Sequence, residues 1–114
     1  MNIPEAGRTH PRHQLDEALL TPVRLSMMAA LRNGSEINFS TLRDLIETDE
    51  SALSKATSRL ETARYVKVRK GYAENKPRTW VRATRAGLNA LQVHIAALQA
   101  IAIPSTSPKT DQSD

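Results

Sequence analysis

Residues 51–84 read SALSKATSRLETARYVKVRKGYAENKPRTWVRAT, and two periodicities meet inside this stretch. In its first half Leu53, Ala56 or Thr57, Leu60 and Ala63 recur at helical spacing, which predicts a helix from Ser51 to about Arg64. In its second half the pattern changes to strict alternation. Val66 and Val68 point one way, Lys67 and Arg69 the other. Gly71–Pro77 reads as a turn or loop. Arg78–Ala83 reads as a second strand, with Val81 and Ala83 on one face and Trp80 and Arg82 on the other. Two strands cannot bury their own apolar face, so helices must cover one side of the hairpin.

Working outward, Thr48 or Asp49 is placed to cap the 51–64 helix, and early acidic residues suit its positive end. Before it, Ser40 reads as the cap of a helix through Glu47, with Leu42, Leu45 and Ile46 inward. Glu36–Asn38 is a short extended piece. Thr21-Pro22 opens a helix to about Arg32, with Leu25, Met28 and Ala29 on its inner stripe. Asn33-Gly34 ends that helix with a left-handed residue. Gln14–Leu20 reads as a short helix carrying Leu15, Leu19 and Leu20. On the other side, Thr84 caps a helix over Arg85–Ile101. The fold class is mainly α with a small β-hairpin.

The domain plan is a flexible arm over 1–13, a folded unit over 14–102 and a disordered tail over 103–114, where Ser, Thr, Pro and Asp leave little to bury. The chain has 114 residues, enough for one domain. Aromatic residues are only 4% and cysteine is absent, so the core is aliphatic, and disulfides and thiolate metal sites are excluded. No run is long and apolar enough for a membrane helix and no signal-peptide core opens the chain, so a cytoplasmic protein is expected. His10, His13 and His94 have poor spacing for a metal site. No catalytic constellation is visible, and neither an enzyme nor a cofactor is expected.

Charge is the functional signal. Ten basic residues lie between Lys55 and Arg85 against Glu61 and Glu74 alone, whereas the rest of the chain holds six basic and ten acidic residues. That is the footprint of a polyanion binder. The 40–47 and 51–64 helices form a helix-turn-helix pair. The outer face of the second carries Ser51, Ser54, Lys55, Ser58 and Arg59: short hydroxyls allow close approach to a groove, and the cations supply charge and donors. Ser40 and Thr41 sit at the start of the first helix. Lys67, Arg69, Lys70, Lys76, Arg78 and Arg82 crowd the hairpin, a shape suited to a backbone or a narrow minor groove. Arg69, Lys76, Arg78 and Arg82 of the hairpin, with the seven helix residues just named, are the candidate contacts to double-stranded DNA. The competing reading is a module whose basic face meets an acidic protein.

Leu53-Ser54-Lys55, Leu60-Glu61, Tyr65-Val66, Pro77-Arg78-Thr79 and Ala83-Thr84-x-x-Gly87 together resemble the recognition helix, wing and following helix of winged helix-turn-helix regulators related to the MarR-type and ArsR-type families. The resemblance covers about Leu15–Ile101. It implies a repressor-like homodimer on a pseudo-palindromic operator, with Ser54 and Lys55 as recognition-helix contacts and Arg78 as the wing contact. Two positions depart from the pattern: Arg64 stands where Gly is common, and Ala83 where Leu is common.

The 85–101 helix has more apolar residues than one buried stripe needs, which suggests a dimer seam built from Leu15, Leu19, Leu91, His94, Ile95 and Leu98. Trp80 either covers an N-terminal helix, meets a second subunit or stays partly exposed. A small-molecule effector is compatible with this plan, but no residue set announces one.

Overall fold

The computed structural model describes residues 9–104. Four helices and a three-stranded antiparallel sheet run in the order α1 (Pro22–Ala30), β1 (Ile37–Asn38), α2 (Phe39–Leu45), α3 (Glu50–Thr62), β2 (Val66–Ala73), β3 (Lys76–Ala83) and α4 (Arg85–Ala102). The strand order is β1-β3-β2. Leu19, Met27, Met28, Leu31, Leu42, Leu53, Leu60, Val66 and Val81 pack as one core beneath the sheet, each essentially inaccessible.

Caps set the helix boundaries. Thr21 Oγ1 accepts from Arg24 N at 3.3 Å at the start of α1. For α2 the cap is Asn38 rather than Ser40. Asn38 sits in extended backbone and its Oδ1 accepts both the backbone N–H and the hydroxyl of Ser40. Asp49 caps α3 through Ala52 N at 2.8 Å.

The C-termini of α2 and α3 use the same exit. Glu47 and Arg64 take positive φ. Thr48 N then donates to Arg43 O and Tyr65 N to Leu60 O, the 6→1 bonds of a Schellman turn. A non-glycine residue there costs about 1 kcal/mol. At Arg64 the conformation is held because Thr84 Oγ1 donates to the Arg64 carbonyl at 2.7 Å.

Several expectations need correcting. The segment 14–20 is not one helix but two 3-10 turns, Pro11–Gln14 and Glu17–Leu19, around an extended Leu15 and Asp16. The expected arm therefore already has structure at Pro11, where the first turn packs on α4. The remainder of the arm (1–8) and of the tail (105–114) lies outside the described residues. Leu45 is 59% exposed, not inward. The inner stripe of α2 runs through Phe39, Leu42 and Ile46, and Leu45 lies beyond its edge.

The 71–77 loop is largely strand. Only Glu74 and Asn75 form the turn, with φ of 55° and 64°. This is the two-residue turn with both central residues left-handed that matches strand twist. Gly71 lies inside β2, opposite Arg78, where a Cβ would come within 3.3 Å of the Trp80 ring.

Three long-range contacts seat α4 and the N-terminal segment. Thr84 N donates to the Tyr65 carbonyl at 2.9 Å. His94 is 1% exposed, and its Nδ1 accepts from Asp16 N at 2.9 Å. The Tyr65 hydroxyl donates to Asp16 Oδ2, and this bond with the carboxylate pushes the phenol up to about 12. Gly87, buried in α4, lies directly against the Tyr65 carbonyl, with Met28 Cε 2.9 Å from where its Cβ would stand.

Two outcomes follow from this corner. Gly87→Ala, normally favourable inside a helix, is expected to destabilise the domain by about 2–3 kcal/mol because the backbone cannot yield, as read from a denaturant titration. Tyr65 binds its proton more tightly folded than unfolded, so that stability is intact below pH 10 and lost as pH rises toward 12. Tyr65→Phe should flatten the decline of unfolding midpoints between about pH 10 and about pH 12.

Candidate nucleic-acid interface

Burial of Leu53, Ala56, Thr57 and Leu60 fixes the rotation of α3. Thr57 satisfies its hydroxyl by donating to Leu53 O at 2.7 Å. Ser51, Ser54, Lys55 and Ser58 are consequently exposed, and no other described segment covers them. Thr41 is exposed at the start of α2, and Ser40, half-buried, is held by Asn38.

Arg59 is placed differently. It stands on the flank toward the N-terminal segment, with its Nη2 3.8 Å from Glu17 Oε1. The centre of the outer face belongs to Ser51, Lys55 and Ser58.

The hairpin divides its cations between two faces. The register pairs Val66 with Ala83, Val68 with Val81 and Lys70 with Thr79, so these residues share the face toward the helices. Lys67, Arg69, Arg78 and Arg82 belong to the opposite face. Lys70 and Thr79 border a cleft of about 300 Å³ with Ser54, Ser58 and Phe39. The outer side of α3 and the wing therefore open onto common space. Arg78 reaches over the β1 edge, where it borders a second cleft with Ser40, Arg43 and Thr79. Lys76 is exposed beside the turn, and Arg78 also lies 3.9 Å from Glu74.

Arg69 is already engaged within the chain. Its Nε and Nη2 donate to the two Glu36 oxygens at 2.8 and 2.9 Å. Its guanidinium stacks 4.1 Å from the centre of the Trp80 ring. The pair holds the Glu36 carboxyl below its ordinary range and raises the guanidinium above its own. Trp80 thus stays partly exposed and lies under Arg69. Arg82 is exposed, opposite Lys67, on this outer face.

Two residues absent from the candidate set belong to the helix-facing side: Lys70, and Tyr72, which is 77% exposed. The alternation that begins at Val66 puts Lys70 on this side already, and continued past Gly71 it reaches Tyr72.

The expected dimer set is partly core. Leu19, Leu91 and His94 are buried within the chain, so they cannot form a seam. Leu15 is half-buried. Ile95 and Leu98 are exposed, together with Val93, Ile101 and Leu20. Among the described residues no group of three or more His, Cys, Asp or Glu is arranged to hold a metal ion, and no helix is long and apolar enough to cross a membrane.

Helix-turn-helix, two-stranded wing and returning helix are the parts of one known architecture, and the family model described as a winged helix DNA-binding domain matches residues 23–102. The chain belongs to the winged helix DNA-binding domain family. Solved structures of transcriptional regulators superpose on it. A transcriptional regulator homologue from Pyrococcus horikoshii OT3 does so with a TM-score of 0.70 at 28% identity, over 76% of this chain and 86% of that one. PcaV, a transcriptional regulator from Streptomyces coelicolor solved with its natural ligand, gives 0.63 at 19% identity, over 86% of this chain and 70% of that one. AbsC, a MarR family transcriptional regulator from Streptomyces coelicolor, gives 0.58 at 23% identity, over 87% of this chain and 78% of that one. The last two show likeness of fold alone. No curated protein is similar enough in sequence to match. The winged-helix resemblance read from residues 53–87 therefore holds for the fold.

Proposed function

We propose that this winged-helix protein is a transcriptional regulator that binds duplex DNA sequence-specifically as a homodimer. The observation that carries the reading is the common cleft between the hydroxyl-and-cation side of α3 and the wing residues Lys70 and Thr79. A single duplex can touch both. In this arrangement α3 enters the major groove and presents Ser51, Ser54, Lys55 and Ser58 to base edges. Lys70, Lys76 and Arg78 meet the backbone or the adjacent minor groove. Arg59, Arg69 and Arg82 become peripheral: the first leans on Glu17, the second is paired with Glu36, and the third sits near the base of the far face, opposite Lys67, whereas Lys76 and Arg78 stand on that face near the hairpin tip.

Ile95, Leu98 and Ile101 on α4 support the homodimer. Each is only partly covered, and exposed apolar side chains continue to Ile103 at 73% exposure. A contiguous patch of this kind marks an association surface. The solved relative PcaV carries a natural ligand. By analogy we propose that a small-molecule effector is compatible with this chain too. An acidic protein partner is the competing reading, and it predicts no salt-dependent binding to duplex.

The deciding measurement is a binding titration against random and selected duplexes at several salt concentrations. Lys70→Ala and Arg78→Ala should weaken binding to all sequences alike and reduce the slope of log K against log salt by about one each. Lys55→Ala should narrow the gap between selected and random duplex by about 1–3 kcal/mol. Unchanged slopes for both wing variants would remove the wing assignment. Ile95→Glu with Leu98→Glu should convert the dimer to monomer in sedimentation and lower operator affinity at least tenfold, with the melting temperature of the monomer little changed.

A further inference from the structure

The surface offered to DNA is cationic and hydroxylic except for two exposed carboxylates that line the cleft between α3 and the wing, Glu61 near the end of α3 and Glu50 at its start. Glu50 is the first residue of α3. It borders the cleft toward Ser54 and Lys70, the cleft toward Ser40 and Arg78, and the hollow beside Ser51 and Lys55. It therefore stands where recognition helix, supporting helix and wing converge.

Among the described residues, no Lys or Arg nitrogen lies within 4.0 Å of this carboxylate; the ion pairs are Arg43–Asp44, Arg59–Glu17, Arg69–Glu36 and Arg78–Glu74. Asp49, not Glu50, caps the helix by accepting from Ala52 N, while Glu50 occupies the first turn, where the positive end of the helix favours an acid.

An unpaired carboxylate in this position repels phosphate and weakens binding to every sequence. It gains only against a group that donates. In the major groove the cytosine N4 amino group is such a donor, with no acceptor of its own base beside it. Adenine also donates from N6, but its N7 acceptor opposes a carboxylate, and guanine presents two acceptors. The N-terminal residues of a recognition helix are the ones that reach base edges.

We propose that Glu50 is a specificity-determining residue that accepts a hydrogen bond from cytosine N4 at one position of each half-site. This inference rests on the DNA-binding reading. The carboxylate lowers affinity for random DNA and raises discrimination at that position.

The test is selection from a random duplex pool by the full chain and by Glu50→Ala and Glu50→Gln. The native protein should prefer cytosine about tenfold at one half-site position. Glu50→Ala should lose that preference, keep the rest of the motif and bind random duplex several-fold more tightly. Glu50→Gln should move the position toward adenine, whose N6 and N7 suit an amide. If Glu50→Ala fails to fold, the isosteric Glu50→Gln carries the comparison alone. A native motif left unchanged by both variants overturns this inference and spares the DNA-binding reading. A native protein that binds no duplex overturns both.

Discussion

Tyr65 is the joint on which the molecule turns. Its N–H closes the exit of α3 on Leu60, its carbonyl accepts from Thr84 at the start of α4, and its hydroxyl reaches Asp16 of the N-terminal segment. Gly87 allows α4 to pass close to the same carbonyl. One residue thus fixes where α3 stops, where the wing begins and how the last helix returns. The angle between α3 and the wing, and hence the shape of the cleft they share, depends on this corner. The left-handed Arg64 beside it is the cost of so sharp a turn, and the Thr84 hydroxyl offsets it.

The sheet sorts charge as well as burial. Because successive side chains alternate, the register sends five of the hairpin's six cations (Lys67, Arg69, Lys76, Arg78 and Arg82) to the face away from α3 and leaves Lys70 on the other. On the helix-facing side Lys70 follows two buried or half-buried valines, so its charge projects where the sheet runs out of core. On the other side Arg69 is neutralised by Glu36 and stacked on Trp80. That contact ties the segment before β1 to the wing, across β3, and stiffens the hairpin near its middle. Density of positive charge along the chain therefore overstates the number of cations gathered on one face of the hairpin.

The last helix serves two surfaces. Gly87, Leu91, His94 and Ala97 face the domain, and the 3-10 turn at Pro11–Gln14 covers part of the rest. His94 is polar in a buried stripe, and the Asp16 N–H satisfies it. Ile95, Leu98 and Ile101 lie off that stripe and remain partly exposed.

Element identity was legible because apolar spacing is a local property: the helices over 22–30, 50–62 and 85–102, the extended piece at 37–38 and the change to alternation at Val66 all follow from it. The outer face of α3 was legible for the same reason, since burying Leu53 and Leu60 leaves Ser51, Ser54, Lys55 and Ser58 outside. The hairpin's length was hidden because Gly71 and Pro77 look like turn residues, while the turn residue Glu74 does not. Only the tertiary structure could decide which apolar residues of α4 face the domain and that Arg69 is engaged by Glu36 thirty-three residues earlier. Those outcomes depend on which distant segments meet, and spacing along the chain does not encode that.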